Sequence, residues 1–216
     1  LGRTENTQPA LLAAGVAVFR AWQAAGGRTP DYLAGHSLGE YTALVAAGVI
    51  SLADGVRLVA ERGRLMQAAV AEGEGAMAAI LGLTDEQVVA ACAEAAQGDI
   101  VEAVNFNSPE QVVIAGSSAA VARAIDVAAG LGAKKTVRLP VSVPSHCSLM
   151  KPAATQLAAQ LAEVGFATAQ MPVLHNTDAG ARADAEAMRS ALAEQLYRPV
   201  RWVDTIRNLQ AAYGAR

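Results

Sequence analysis

Cysteine is scarce in this 216-residue chain, and the two present, Cys92 and Cys147, show no metal-ligand spacing. A disulfide scaffold is thereby excluded at this size; each cysteine is read as a small hydrophobe, and a reducing, cytoplasmic setting is expected. Charge is scarce too. Charged residues make up 17%, the formal net charge is −3, and no basic run exceeds the pair Lys134-Lys135. That composition excludes a nucleic-acid face and a polybasic membrane surface. Long apolar runs are absent, since Gly, Arg or Glu interrupts every one, so no membrane span is expected and no signal peptide is seen. There is no internal repeat and no low-complexity tract beyond alanine-rich helices. What remains is 53% hydrophobic, enough to bury one sizeable domain with a smaller insertion, and small-molecule chemistry is the default. Starting at Leu1 without methionine, the chain is expected to be a piece of something longer.

Against that background one stretch is chemically specific. Gly35-His36-Ser37-Leu38-Gly39-Glu40 is G-x-S-x-G between a short apolar run and a helical run, the pattern of a nucleophile elbow. In it a serine sits on a cramped strand-to-helix corner and projects into a cleft. Both glycines are expected to be required because a Cβ there would clash. The following helix, Leu38 to about Ala47 with Gly48 as C′ residue, aims its N-terminal N–H groups at the same spot. The competing reading is a capping box, Ser37-x-x-Glu40, which would make Ser37 only an N-cap.

A serine hydroxyl needs a base, and the chain has three histidines. His36 adjoins Ser37 and should point away from it. His175 lies in an expected strand, where a packed histidine is the commoner explanation. His146, in the proline-constrained Val143-Pro144-Ser145-His146-Cys147, sits where the chain re-enters the core and is the candidate base. No acid declares itself as third member; Asp178 is the nearest candidate, with a solvated loop aspartate as the plainer reading. Arg62 falls on the apolar side of its helix, whereas Arg57 and Arg64 face outward. An inward guanidinium needs an anion: either an internal carboxylate such as Glu40, or the carboxylate of a substrate held in a bidentate clamp.

The periodicity predicts a helix over 8–25 with Pro9 in its first turn and Leu12, Val16, Phe19 and Trp22 or Gln23 inward. A short strand follows at Tyr32–Ala34, then a helix from Ser51 with Leu52, Val56, Val59, Gly63 and Met66 as its inner stripe. The middle reads strand (76–81), helix (85–96, capped by Thr84 and Gln87), strand (101–106), strand (111–115), helix (119–129), strand (136–139). That βαββαβ order is the ferredoxin-like unit. After it come a helix over 152–164, a strand over 173–176, and helices over 185–196 and 203–212. The expected fold is therefore α/β: a three-layer α/β-hydrolase-like core from residues 1–72 and 143–216, with 73–142 as an inserted subdomain and a ligand cleft between them.

In combination these residues resemble the malonyl-CoA:acyl carrier protein transacylases of type II fatty acid synthesis and the related acyltransferase domains of polyketide synthases. The resemblance spans the chain and rests on Thr7-Gln8-Pro9-Ala10, the elbow through Tyr41, Arg62-Gly63 with Met66-Gln67, and Gly75-Ala76-Met77. It continues through Val104-Asn105-Phe106-Asn107-Ser108-Pro109, Val143-Pro144-Ser145-His146, and Gln195-Leu196-Tyr197 with Pro199-Val200 and Trp202. It implies that Ser37 carries the acyl group, His146 is the base, and Arg62 binds the free malonyl carboxylate. It further implies that the backbone carbonyl of Gln195 orients His146 in place of a triad acid, and that the Leu38 N–H is one oxyanion donor. Malonyl-CoA and acyl carrier protein are the implied partners, a monomer is expected, and no metal or redox cofactor is implied. The family opens with a Gly-Gln-Gly-Ser-Gln loop that supplies the second oxyanion donor and closes with a Gly-Pro-Gly segment. Neither is present, so a core fragment is expected. Two rival readings are a serine hydrolase of the α/β-hydrolase type and a non-catalytic domain that keeps the fold.

Overall fold

A computed structural model describes residues 4–141 and 143–211. Helix α1 (Thr4–Ala24) begins four residues ahead of the sequence expectation, so Pro9 lies inside the helix rather than in its first turn. A proline this early removes only one intrahelical bond. Its inward face is Gln8, Leu12 and Val16. Trp22 departs from the expected stripe: it is 55% exposed, its ring lies against the side-chain-free Gly27, and its Nε1 donates to the Arg28 carbonyl.

Helix α1 packs on α3 (Leu52–Ala68), whose N-cap Ser51 accepts from the Asp54 N–H. The two backbones touch at Gly63, where an added Cβ would lie 2.6 Å from Glu5 Cα. This approach brings Gln8 of α1 beside Arg62 of α3. The elbow helix α2 (Leu38–Ala46) packs against both. It ends in a Schellman motif: Gly48 has φ +73°, and the N–H groups of Gly48 and Val49 donate to the carbonyls of Val45 and Leu44. Strand β1 (Leu33–Ala34), which leads into the elbow, pairs in parallel with β6 (Val173–Leu174).

The middle of the chain is the βαββαβ order read from sequence. Strands β2 (Gly75–Leu81), β3 (Val101–Ser108), β4 (Gln111–Ser117) and β5 (Lys135–Arg138) form an antiparallel sheet in the order β3-β4-β2-β5. Helices α4 (Asp85–Ala96) and α5 (Ser118–Gly130) cover one face. Thr84 and Gln87 form the expected capping box. Both sheet faces are buried by alternation: Ala76, Ala78, Ile80, Val112 and Ile114 pack on the helices. Met77, Ala79, Val113 and Ala115 pack on the opposite side with Val104 and Cys147. That second face carries the segment with His146.

The return to the core passes through a short 3-10 turn into α6 (Lys151–Ala162), then β6, α7 (Ala185–Glu194) and α8 (Trp202–Ala211). Strand β6 stops two residues short of the predicted 176, and α7 two residues short of 196. Both endings release backbone and side chains to the site described next. The predicted helical residue Ala212 lies outside the described residues. Edge strand β3 is joined to the core by hydrogen bonds from Phe106 N–H to the Val200 carbonyl and from Val200 N–H to the Val104 carbonyl. Glu102 adds bonds from the N–H and hydroxyl of Ser148.

Candidate active site

The β1-to-α2 corner forces Ser37 into φ 51°, ψ −107°, a conformation that costs a non-glycine residue energy and that surrounding contacts must hold. Asn176, just past β6, supplies them. Its Oδ1 accepts from the Ser37 N–H at 2.6 Å and its Nδ2 donates to the Gly35 carbonyl at 2.8 Å. Gly35 is required as expected, since a Cβ would lie 2.0 Å from the Gly39 carbonyl carbon. Gly39 is a correction: a Cβ on it would meet nothing within 4 Å. Its backbone is what Gly35 must avoid. The capping-box reading also fails, because Ser37 makes no side-chain cap bond and Glu40 turns inward, fully buried.

Ser37 Oγ lies 2.9 Å from His146 Nε2. His146 is buried and held at φ 67°. Its Nδ1 lies 2.7 Å from the Gln195 carbonyl oxygen and its backbone N–H donates to the Leu196 carbonyl. Here the early end of α7 matters. The last carbonyls of a helix have no partner within it, and two residues beyond α7 spend theirs on His146. A carbonyl only accepts, so Nδ1 carries the proton and Nε2 presents its lone pair to the serine hydroxyl. Burial, followed by the charge of Arg62, draws the His146 pKa down to about 3. The imidazole is therefore neutral and able to accept a proton across the physiological range.

Arg62 is 1% exposed. Nη1 donates to Gln8 Oε1 at 2.7 Å, and Nη2 donates to Gln195 Oε1 at 2.8 Å and to Ser37 Oγ at 3.1 Å. The Tyr41 ring lies 5.6 Å from the guanidinium carbon. Burial lowers the Arg62 pKa, opposed by Tyr41 and Glu40; a guanidinium stays charged regardless. No carboxylate among the described residues comes within ion-pair distance. The expected internal partner, Glu40, accepts instead from His175 Nδ1, the Asn176 N–H and Gln195 Nε2. Of the N–H groups of residues 37–40, three have acceptors. The Leu38 N–H, first in α2 and adjacent to Ser37 in sequence, has none among the described residues.

The remaining sequence candidates fall elsewhere. His36 turns away from the dyad, with Nε2 2.8 Å from Asn107 Oδ1 and its ring 5.6 Å from that of Trp202. His175 is the buried partner of Glu40. Asp178 pairs with Arg182 at the surface, so it is no triad acid. Among the described residues no group of three or more His, Cys, Asp or Glu could hold a metal ion, and no helix is long and apolar enough to cross a membrane.

The site thus joins a strained serine on an elbow, a histidine oriented by a backbone carbonyl and a buried arginine that touches the serine and two glutamines. Residues 1–215 match the acyl transferase domain family. The chain belongs to that family. Among the relatives of this acyl transferase domain is the malonyl CoA-acyl carrier protein transacylase of Escherichia coli strain K12, 55% identical over 211 residues, covering 98% of this chain and 68% of the relative. The solved transacylase of Coxiella burnetii superposes with a TM-score of 0.97 at 50% identity, over 99% of this chain and 67% of that one. A type II polyketide synthase acyl-carrier protein in complex with its malonyl-transacylase gives 0.97 at 55%, over 99% of this chain and 69% of that one. The acyl transferase domain thus spans about two thirds of the length of these relatives.

Sequence reasoning missed two residues of this domain's site and gave a third the wrong partner. Gln8 stands in register with Leu12 and Val16, a polar residue on an apolar stripe, and that was the available signal. Asn176 sits at the end of a strand and gave none. Glu40 was visible as a capping partner or as a carboxylate for Arg62, and its actual hydrogen-bonding neighbours gave no local signal because they lie more than 130 positions away.

Proposed function

We propose that this chain transfers a malonyl group from malonyl-CoA to the phosphopantetheine thiol of acyl carrier protein through a malonyl-serine intermediate. One observation carries the reading: a buried guanidinium, without a carboxylate partner among the described residues, donates to the nucleophile oxygen itself. In a malonyl-serine ester the free carboxylate is two bonds from the acyl carbon, so the cation beside Oγ is within its reach. An acetyl group has nothing to offer that cation.

In the first half-reaction the Ser37 hydroxyl gives its proton to His146 Nε2 and Oγ attacks the thioester carbon. Charge developing on the carbonyl oxygen is met by the Leu38 N–H at the positive end of α2. Collapse expels the CoA sulfur, which takes the proton from His146. In the second half the carrier thiol gives its proton to His146, attacks the ester and releases Ser37 Oγ, which is reprotonated. The Gln195 carbonyl holds the imidazole tautomer throughout, as a carboxylate does in a triad. A malonyl carboxylate seated against Arg62 also offsets the positive charge that depresses His146, so the base strengthens as its own substrate arrives. None of these steps draws on a metal or redox cofactor. We assign the division into residues 1–72 with 143–216 and 73–142, a monomeric state and a cytoplasmic location to the same reading.

The test is intact mass after mixing with malonyl-CoA. A malonyl adduct should form on the wild type and be absent from Ser37→Ala, and addition of holo acyl carrier protein should move it to the carrier thiol. Loss of the adduct to water alone would instead indicate a hydrolase.

A further inference from the structure

The grip on Arg62 contains only uncharged groups. Its two terminal nitrogens end on two amide oxygens, Gln8 Oε1 and Gln195 Oε1, and both glutamines are buried at 5% and 0% exposure. Neither amide is free to turn. Gln8 Nε2 donates to Thr4 Oγ1 at 3.0 Å and approaches the Met66 sulfur at 3.7 Å. Gln195 Nε2 donates to the Ser37 carbonyl at 3.1 Å and to Glu40 Oε2 at 2.7 Å. A carbonyl and a carboxylate only accept, and a guanidinium only donates, so all three neighbours of Gln195 impose one orientation on its amide. The nearest anion, Glu40, is thereby kept one residue away from Arg62, with the Gln195 amide between the two charges.

We propose that Gln8 and Gln195 are specificity-determining positioning residues whose neutrality leaves the charge of Arg62 available to a carboxylated acyl group. A carboxylate in either place would make as good a hydrogen bond to the guanidinium and a stronger ion pair, and would cancel the charge that the substrate carboxylate must meet. The site thus gives up a stronger internal contact for a selective one. Gln195 has a second task through its backbone, which holds His146, so the selecting cation and the base share one residue.

This inference rests on the transacylase reading above, and its test separates the two. In the full-length protein, rates of Ser37 acylation from malonyl-CoA and acetyl-CoA are compared by quenched intact mass, alongside the thermal midpoint. Gln8→Glu keeps the size and the acceptor to Arg62, adds a charge, and turns the donor to Thr4 Oγ1 into an acceptor that the Thr4 hydroxyl can rotate to meet. The malonyl-to-acetyl ratio should fall about 100-fold, in keeping with the several kcal/mol of like-charge juxtaposition, while the midpoint holds or rises. A merely structural glutamine would leave the ratio where it was. Gln195→Met keeps the backbone carbonyl to His146 and removes the amide; it should lower the same ratio about tenfold by loosening the cation. It decides the matter if Gln8→Glu fails to fold. A ratio unchanged in a folded Gln8→Glu, or in Gln195→Met, overturns the inference. A wild type that loads acetyl as readily as malonyl, or neither, overturns the functional reading first and this inference with it.

Discussion

Replacing Gly35 by alanine places a methyl carbon 2.0 Å from the Gly39 carbonyl carbon and 2.1 Å from its oxygen, where real Cβ atoms keep at least 3.0 Å. Those atoms are backbone in the first turn of α2, so no side chain can swing aside. Relief requires the strand end and the helix start to separate by about an ångström. Overpacking of this kind costs about 1–3 kcal/mol, which for a chain of this size lowers the thermal midpoint by roughly 2–12 °C. The same displacement carries Ser37 away from His146, and a misplacement of that order costs about 100-fold in rate. Gly39→Ala is the matched control, since the space around it is open and alanine is favoured over glycine inside a helix by about 1 kcal/mol. Its midpoint should hold or rise. Calorimetry and stopped acylation of Ser37 measure both quantities. Wild-type midpoint and rate for Gly35→Ala, or equal losses of midpoint from the two variants, would refute the argument that the close approach of strand and helix shapes this elbow.

Arg62→Ala should lower malonyl loading by about 3–5 kcal/mol in kcat/KM, because a carboxylate is then left alone in a desolvated cleft. Acetyl loading should fall far less, and equal losses would make Arg62 a structural residue. His146 is neutral in the fold with a pKa of about 3 and ordinary when unfolded, so below pH 6.5 the unfolded chain takes up a proton that the native one does not. Stability should therefore fall with pH by about 1.4 kcal/mol per unit between about 6 and 4; urea titrations should show a shallower slope in His146→Gln, and an identical slope would count against the burial argument. Asn176→Ala strands the Ser37 N–H and the Gly35 carbonyl, for a loss of about 1–3 kcal/mol each, measurable as a lowered denaturant midpoint together with slower acylation.

Much of the fold was legible because its signals are local. The capping box at Thr84 and Gln87, the N-cap at Ser51 and the glycine that closes α2 are each set by neighbours within a few positions. Strands β2 and β4 were readable, as spans 76–81 and 111–115, for the same reason. Local signals also reached part of the site: Ser37 through its motif, and Arg62 through helical register. Long-range geometry was not readable in this way. Nothing near Gln195 says that α7 ends early enough to lend its carbonyl to a histidine 49 positions away. Nothing near Glu40 says that its carboxylate reaches the segment just past β6, and Gln195, rather than Arg62. Trp22 shows the converse failure, a large apolar residue in helical register that a glycine five residues on leaves at the surface.

The seam between strand β3 and the core bears on how such proteins could exchange parts. The four-stranded sheet reads as a removable insert, yet its edge bonds Val200, and Glu102 bonds Ser148. Those two contacts flank the segments that present Gln195 and His146. A foreign insert grafted at residues 73 and 142 would thus arrive with an unmatched β3 edge against a host-derived His146. Chimaeras that carry residues 143–148 and 195–200 along with the insert should keep the dyad aligned, whereas grafts cut at the hinges alone should fold and misplace the imidazole. In this architecture Ser37 is inherited with one body and His146 with the joint.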